Sequence, residues 1–194
     1  MGRVRGFDTD QALDAAMLLF WEHGFDGTGI QDICRATGLN PGSVYAAFGD
    51  KRELFLRSLQ RFMAMRSQQI IAELDACASG LTAITNYLHG LTTAMLDGRR
   101  RWGCLVTNSI VEFSSRDPDV SAAFRLHLER LEATLASAIE RSRQAGEIRA
   151  DVCAADGAIF LMCLIQGLNV MAKTQPSASE LNAVVRLALA SLQQ

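Results

Sequence analysis

The chain has 194 residues, of which 49% are hydrophobic and 21% are charged, and its formal net charge is −2. This balance argues against a disordered protein and against a strongly basic protein that binds polyanions without regard to sequence. The five cysteines are odd in number and lack paired metal-ligand spacing, which predicts reduced thiols and no metal site. No apolar signal segment opens the chain, so a cytoplasmic protein is expected.

A short basic arm and an amphipathic helix begin the chain. Arg3 and Arg5 lie in residues 1–7, which are either a frayed terminus or an arm that contacts phosphates or the minor groove. Apolar residues at three- and four-residue steps then predict a helix from Thr9 to His23. Gly24 ends it.

The stretch from Thr28 to Lys51 has the pattern of two short helices joined by a tight turn. Thr28 is expected to cap the first of them, and Gly38 is expected to end it in the left-handed conformation. Asn40 and Pro41 supply a capping side chain and a proline at the first position of the second helix. Because so short a helix is unstable alone, Val44 and Phe48 must pack on neighbouring helices.

The outer face of this second helix is small and polar. It comprises Gly42, Ser43, Tyr45, Ala46 and Ala47, which suits a helix-turn-helix whose second helix enters the major groove of DNA. Residues 1–57 hold eight acidic and six basic residues, so any DNA contact must be local. Lys51 starts the next helix, where the helix dipole disfavours a cation unless a phosphate lies against it.

The remainder is predicted to be helical, which makes the chain all-α with about nine helices. A small N-terminal helix-turn-helix domain (1–53) precedes a larger helical domain (54–194), and the helix over 51–76 links the two. Arg99, Arg100 and Arg101 follow a helix that ends near Leu96, and a solvated turn explains them better than a DNA contact.

The last two helices indicate dimerisation. The segment from Asp151 to Lys173 is apolar nearly all round, so one face can pack on its own core and the other needs a partner. It is too short and too often interrupted by polar residues to predict a membrane span. Two such helices from each chain would form a four-helix interface. The residues predicted at this interface are Ala155, Ile159, Met162, Leu181, Val184, Val185 and Ala188.

The run FWEHGFDGTGIQDICRATGLNPGSVYAAFGDKRELF closely resembles the DNA-binding domain of the TetR/AcrR family of bacterial transcriptional regulators. The matching positions cover the end of the first helix, the opening threonine, the turn, the Tyr-x-x-Phe pair and the lysine after the break. They are Phe20, Gly24, Phe25, Thr28, Ala36, Gly38, Tyr45, Phe48 and Lys51. Many members of the family have histidine where this chain has Ala47.

The resemblance implies a homodimer, usually a repressor, that binds a near-palindromic operator in double-stranded DNA. It places Thr28, Ser43, Tyr45 and Lys51 mainly on phosphates. It places Gly42, Ala46 and Gln31 near base edges, where readout would rely on apolar contacts and DNA shape.

The resemblance also implies a small-molecule effector that binds the C-terminal domain. Candidate pocket residues are apolar or amidic, and ordinary core packing explains any single one of them better than a pocket does. They are Phe62, Met95, Trp102, Cys104, Asn108, Phe113, Met162 and Gln166. Cys104 opens a helix after three arginines, which favours a thiolate. Gly-Cys-Leu-Val at this place resembles a subgroup that senses electrophiles or oxidants, so a cysteine-based sensor is the alternative.

An enzyme and a helical adaptor are the remaining alternatives. The three histidines, His23, His89 and His127, lie on separate predicted helices without a partnering nucleophile motif. No phosphate-binding glycine loop or metal-ligand spacing occurs. The sequence therefore predicts no catalytic residues, no cofactor and no membrane association.

Overall fold

A computed structural model of the protein describes residues 7–113 and 117–193. Within these ranges the chain forms nine α-helices and a short 3-10 helix, Ala172–Thr174, with no strand. The predicted all-α class is confirmed. The helices are α1 (Thr9–His23), α2 (Ile30–Thr37), α3 (Pro41–Phe48), α4 (Lys51–Asp75), α5 (Gly80–Leu96), α6 (Leu105–Phe113), α7 (Pro118–Gln144), α8 (Ala154–Met171) and α9 (Ala178–Leu192).

Two compact units make up the chain, Met1–Ala64 and Met65–Gln194. The division lies inside α4, later than the predicted domain boundary after residue 53. The first turns of α4 belong to the first unit because they complete its core. The ring of Phe55 meets that of Phe20 edge-on at 5.1 Å, and Arg61 makes a bidentate ion pair with Asp14 on α1, at 2.6 and 3.0 Å.

Aliphatic side chains from α4, α5, α7, α8 and α9 form the core of the second unit. The N-terminus of α5 lies directly against α7, because a Cβ at Gly80 would come within 1.9 Å of the Ala138 carbonyl oxygen. The hydroxyl of Ser142 accepts the backbone N–H of Leu81, and the Ser79 hydroxyl donates to Glu147 at 2.8 Å. Glycine at position 80 therefore permits a close backbone approach.

Helix α8 has apolar side chains on both its buried face and its exposed face. The segment Ala154–Thr174 meets the length and composition of a membrane span, a test that core helices of soluble proteins also pass. On its inner face, Leu161 is fully buried and Ile165 is 6% exposed. On its outer face, Ile159 is 49% exposed and Val170 is 52% exposed. Of the three α8 residues predicted at the dimer interface, Ala155 and Ile159 are exposed and Met162 is buried.

Candidate operator and effector sites

The turn between α2 and α3 is built by local signals in the sequence. Gly38 has φ +70° and ψ +12°, the left-handed conformation that glycine adopts without steric cost. The side chain of Asn40 accepts the backbone N–H of Ser43 at 2.8 Å, and Pro41 occupies the first position of α3. These contacts end one helix and start the next within three residues.

Helix α3 has an inner face fixed in the core and an outer face open to solvent. Val44 and Phe48 are 1% and 2% exposed. Gly42, Tyr45 and Ala46 are exposed, and Tyr45 keeps 48% of its surface. Two further predicted DNA-contacting residues, Ser43 and Gln31, are half-buried and exposed respectively. Four of these five predicted residues are therefore exposed and the fifth, Ser43, is half-buried.

Thr28 lies elsewhere. Its side chain is fully buried, and its hydroxyl donates to the carbonyl oxygen of Gly24 at 2.7 Å, with a longer contact to that of Leu19. The N-cap of α2 is Gly29, whose N–H donates to the Asp32 carboxylate at 3.1 Å. The expectation that Thr28 caps α2 is thus corrected. Its hydroxyl is bonded back to the end of α1, and its predicted phosphate contact stays a prediction.

Two basic residues of α4 pack against aromatic rings near the turn. The Lys51 ammonium lies 4.3 Å from the centroid of the Phe25 ring, and its side chain remains half-buried. The Arg57 guanidinium lies over the Phe48 ring and donates to the carbonyl oxygen of Ala47 at 3.2 Å. Arg57 therefore satisfies the last turn of α3, a positioning role that the sequence spacing did not reveal.

Arg35 is a further exposed cation on this side of the unit. It lies four residues after Gln31 on α2, the spacing of neighbours on one helix face, and forms an exposed ion pair with Asp32 at 3.4 Å. That spacing could have identified it from the sequence. Arg3 and Arg5, predicted to form a DNA-contacting arm, lie outside the described residues. Phe7, the first described residue, places its ring 6.4 Å from that of Phe48.

The predicted effector residues are divided between the two units. Phe62 belongs to the first unit, where its ring meets the indole of Trp21 edge-on at 5.1 Å. The other seven are in the second unit. Met95 and Met162 are buried there, and the half-buried ones are Trp102, Cys104, Asn108, Phe113 and Gln166. The amide of Asn108 donates to the Trp102 carbonyl at 2.8 Å, and Gln166 accepts from Thr107 at 2.6 Å.

The loop from Asp97 to Cys104 treats its three arginines differently. Arg99 is exposed and paired with Asp97, and Arg101 lies over the Trp102 ring, as a solvated turn predicts. Arg100 instead turns inward and donates to the side chain of Asn169 on α8 at 2.9 Å. The expectation of a wholly solvated turn is corrected for this residue.

The same loop touches the backbone of α8. Gly103 has φ +74°, and a Cβ there would come within 2.6 Å of the Asn169 carbonyl oxygen. Cys104 follows directly, and its carbonyl accepts the N–H of Asn108 at 2.9 Å in the first turn of α6. Its side chain is half-buried.

A buried polar pair joins α4 to α7 within the second unit. The hydroxyl of Ser67 and Nδ1 of His127 are 3.0 Å apart, and both side chains are buried. Burial, followed by the charges of Arg130 and Arg66, lowers the pKa of His127 from its usual 6.5 to about 4. His127 is therefore neutral at physiological pH.

The predicted dimer interface is only partly on the surface. Ala155 and Ile159 are exposed and Val184 is half-buried, whereas the other four residues are buried in the core of the single chain. Those four are Met162, Leu181, Val185 and Ala188. Ala155, Ile159, Cys163 and Gly167 recur every four residues and form one exposed ridge along α8. Phe160, Val170 and Leu187 are large exposed apolar residues on the same two helices.

An open groove of about 660 Å³ runs along α9 beside His89 of α5. Its lining is mostly polar or small, and none of the predicted effector residues contributes to it. Within the described part of the chain, no group of three or more His, Cys, Asp or Glu residues could hold a metal ion. Because none of the predicted effector residues lines it, the groove is separate from the predicted effector site.

Known protein families account for most of the chain. Residues 12–57 match the model of the bacterial regulatory proteins of the tetR family. Residues 80–188 match the model of the tetracyclin repressor-like C-terminal domain. The two matches fall on opposite sides of the division within α4.

Individual relatives extend over nearly the whole length. The chain is 30% identical over 184 residues to the HTH-type transcriptional repressor ComR of Escherichia coli (strain K12), covering 93% of this chain and 86% of ComR. It is 29% identical over 194 residues to the repressor BdcR of the same organism, covering 96% and 90%. A structure of a triple cysteine mutant of the TetR family transcriptional regulator CifR, complexed with 26-bp operator DNA, has a TM-score of 0.82. It is 27% identical and covers 98% of this chain and 100% of that one.

Proposed function

Because the chain belongs to the TetR family of bacterial regulatory proteins, we propose that it is a ligand-responsive transcriptional repressor that binds a near-palindromic operator as a homodimer. The observation that carries this proposal is the exposed outer face of α3, held in place by the buried Val44 and Phe48. A helix so presented can enter a major groove. The related CifR structure contains operator DNA, which supports the same use of the fold.

The operator surface combines phosphate and base contacts. Tyr45, Ser43 and Lys51 are proposed to contact phosphates, with Arg35 as an additional cation. Gly42, Ala46 and Gln31 are proposed to lie near base edges. Thr28 is left out of this surface because its hydroxyl is buried on carbonyl oxygens. With few long polar side chains on α3, specificity would depend on apolar contacts and on DNA shape.

Footprinting on DNA upstream of the protein's own gene tests the operator proposal. We expect a protected palindrome whose half-sites lie about one helical turn or a multiple apart. Tyr45→Ala and Lys51→Gln should weaken this protection, whereas His89→Gln, an exposed change on α5, should not. Binding that depends only on salt and not on sequence would contradict the proposal.

The dimer is proposed to form through the ridge of α8 defined by Ala155, Ile159, Cys163 and Gly167, together with the exposed side of α9. Ile159 and Leu187 are 49% and 62% exposed in the single chain. Large apolar side chains grouped on a protein surface mark an interaction site, because leaving them in water is unfavourable. A two-fold axis there makes the interface self-complementary and gives the dimer two copies of α3, one for each half of a palindrome. The four buried residues of the predicted interface are Met162, Leu181, Val185 and Ala188. In this proposal they pack in the core of the single chain and do not contact the partner.

Light scattering with a matched pair of variants tests this interface. Ile159→Asp should give a monomer because it buries an unpaired charge against the partner. Leu126→Asp, on α7, is the control, since Leu126 is equally exposed at 53% and lies outside the proposed surface. Dimers in both variants, or monomers in both, would contradict the assignment.

The effector is proposed to act from the second unit, where Met95, Trp102, Asn108, Met162 and Gln166 are the candidate contacts. Phe113 and Cys104 complete that set, while Phe62 packs on Trp21 in the first unit. A ligand changes operator affinity only if it binds the DNA-binding and the released conformations with different affinity. Release therefore requires that the effector favour the conformation that does not bind DNA.

A cysteine-based sensor is the second candidate, favoured by the position of the half-buried Cys104 immediately before the first residue of α6. In such a sensor the sulfur attacks an electron-poor alkene. An S–C bond forms, the alkene π pair moves to the neighbouring carbon, and that carbon takes a proton from water. Mass spectrometry after brief N-ethylmaleimide treatment tests this. Cys104 should react faster than the more exposed Cys153 and Cys163, and slower reaction would exclude the sensor.

We propose no enzymatic activity for this chain, because its relatives ComR and BdcR are transcriptional repressors. A protein that binds chromosomal operators acts in the bacterial cytoplasm, which is the proposed location. No cofactor is required by this function.

A further inference from the structure

The last turn of α3 is held by a side chain from α4. The final carbonyls of a helix have no partner within it, and α3 has only eight residues. The Gly49 N–H donates to the Tyr45 carbonyl at 2.9 Å. The carbonyl oxygen of Ala47 accepts instead from the Arg57 guanidinium at 3.2 Å. One end of the helix proposed to read DNA therefore depends on a residue ten positions away along the chain.

The same guanidinium also covers the aromatic ring that anchors α3. It lies 5.2 Å from the centroid of the Phe48 ring, a cation–π distance, and Phe48 is 2% exposed. Arg57 is itself half-buried. Apolar burial of Val44 and Phe48 is not directional, so it holds α3 against the core without fixing the rotation of so short a helix. The planar guanidinium adds that restraint, since one side chain meets both a ring face and a carbonyl.

A second arginine of α4 makes different contacts. Arg61 lies four residues after Arg57, the spacing of neighbours on one helix face. It pairs with Asp14 at 2.6 and 3.0 Å and with Asp10 at 3.1 Å, and both acids are on α1. Arg61 thus ties α4 to α1, whereas Arg57 ties α4 to α3. The two side chains have the same chemistry and differ in the helix that they hold.

We propose that Arg57 is a positioning residue for operator binding, which sets the rotation of α3 so that Tyr45 and Ala46 reach the DNA together. This inference rests on the proposed operator role of α3. Contacts to base edges require a defined geometry, whereas attraction between a cationic surface and phosphates tolerates a shifted helix. Loss of the Arg57 guanidinium therefore reduces the preference for the operator over other DNA, and not DNA binding as such.

Titration of two DNAs with the full-length protein tests the proposal. One is the palindrome that the wild-type protein protects, and the other has the same length and base composition in an unrelated order. Arg57→Met, which keeps an apolar stem, should lower operator affinity about tenfold. Affinity for the unrelated DNA, and its dependence on salt, should not change. Arg61→Met is the matched control, because it removes a guanidinium one turn further along α4 and should retain the wild-type preference for the operator.

The variants are compared only after circular dichroism shows that they are folded, and Arg57→Lys replaces Arg57→Met if the latter is not. Arg57→Lys keeps the charge but loses the planar fork, so a several-fold loss on the operator alone is expected. If Arg57 instead contacts a phosphate, Arg57→Met binds both DNAs more weakly, and the slope of log K against log salt falls by about 1.

That result would overturn the proposal, as would wild-type operator affinity in the Arg57 variant or an equal loss of preference in Arg61→Met. Each of these outcomes refutes only this inference as long as the wild-type protein prefers its operator. A wild-type protein that shows no such preference refutes the proposed function.

Discussion

In the first unit the residues proposed to meet a ligand lie outside the core, on the far side of the helix that carries Val44 and Phe48. In the second unit two of the residues proposed to meet the effector, Met95 and Met162, are buried among aliphatic side chains of the core. The hydrogen bonds differ accordingly. Thr28 bonds to a carbonyl four residues away, whereas Arg100 reaches Asn169 across 69 positions and Ser67 reaches His127 across 60. An external reading surface can be built locally, but an interior binding site needs distant parts of the chain.

The strongest test of this contrast compares the two faces of α3. Phe48→Ala should lower the free energy of unfolding by about 3–5 kcal/mol, because it removes a fully buried ring. Tyr45→Ala, on the exposed face, should change it by less than about 0.5 kcal/mol. Both variants should lose operator affinity. Chemical unfolding and operator titration measure the two effects, and a comparable loss of stability in Tyr45→Ala would show that the outer face is also structural.

The second test concerns the buried histidine and depends on pH. In the unfolded chain His127 takes up a proton below about pH 6.5, whereas in the folded protein its pKa is about 4. The unfolded state therefore binds more protons as the pH falls, and folding stability decreases. Between about pH 7 and pH 5 this should remove about 2 kcal/mol.

Urea unfolding at both pH values measures that loss. His127→Gln should flatten the dependence by this amount while retaining a polar group opposite Ser67. His89→Gln is the control because His89 is exposed on α5. An unchanged pH dependence in His127→Gln would show that the histidine is not the titrating group.

The smallest expected effect concerns Thr28, and it tests whether the Thr28 hydroxyl stabilises the fold or contacts a phosphate. Thr28→Val should cost about 1 kcal/mol, since it removes a buried hydroxyl with almost no change in shape. It should leave the salt dependence of operator binding unchanged. Lys51→Gln should reduce the slope of log K against log salt by about 1. If Thr28→Val reduces the slope by a similar amount, Thr28 contacts DNA despite its burial.

The sequence was sufficient for most of the first unit because its signals are local. The bounds of α1 and α3 follow from glycine, proline and capping residues, each of which acts on its immediate neighbours. Thr28 was misjudged as a cap because a threonine before a helix usually serves it. Here the backbone of Gly29 starts α2, and the threonine turns back toward Gly24.

In the second unit, periodicity identified the helices but not which side of each faces inward. Helix α8 is apolar on both sides, so Met162 and Ile159 are equivalent in the sequence although only the latter is exposed. Likewise, three consecutive arginines cannot be told apart by spacing. Arg100 is drawn inward because Asn169 lies opposite it, a fact that depends on how α8 packs. The interface and the effector contacts stay predictions for the experiments above.

The outward residues of α3 have a consequence for how such a regulator diverges after gene duplication. Ala46 and Gln31, which are proposed to lie near base edges, are exposed, so under that proposal substitutions there would alter the preferred operator with little loss of stability. Gly42 is more constrained, because a Cβ there would lie 3.3 Å from the Asn40 oxygen that caps the helix. Under this proposal, a duplicated regulator can acquire new target genes by changing Ala46 and Gln31 first, while the buried residues Val44 and Phe48 that hold α3 in place remain unchanged.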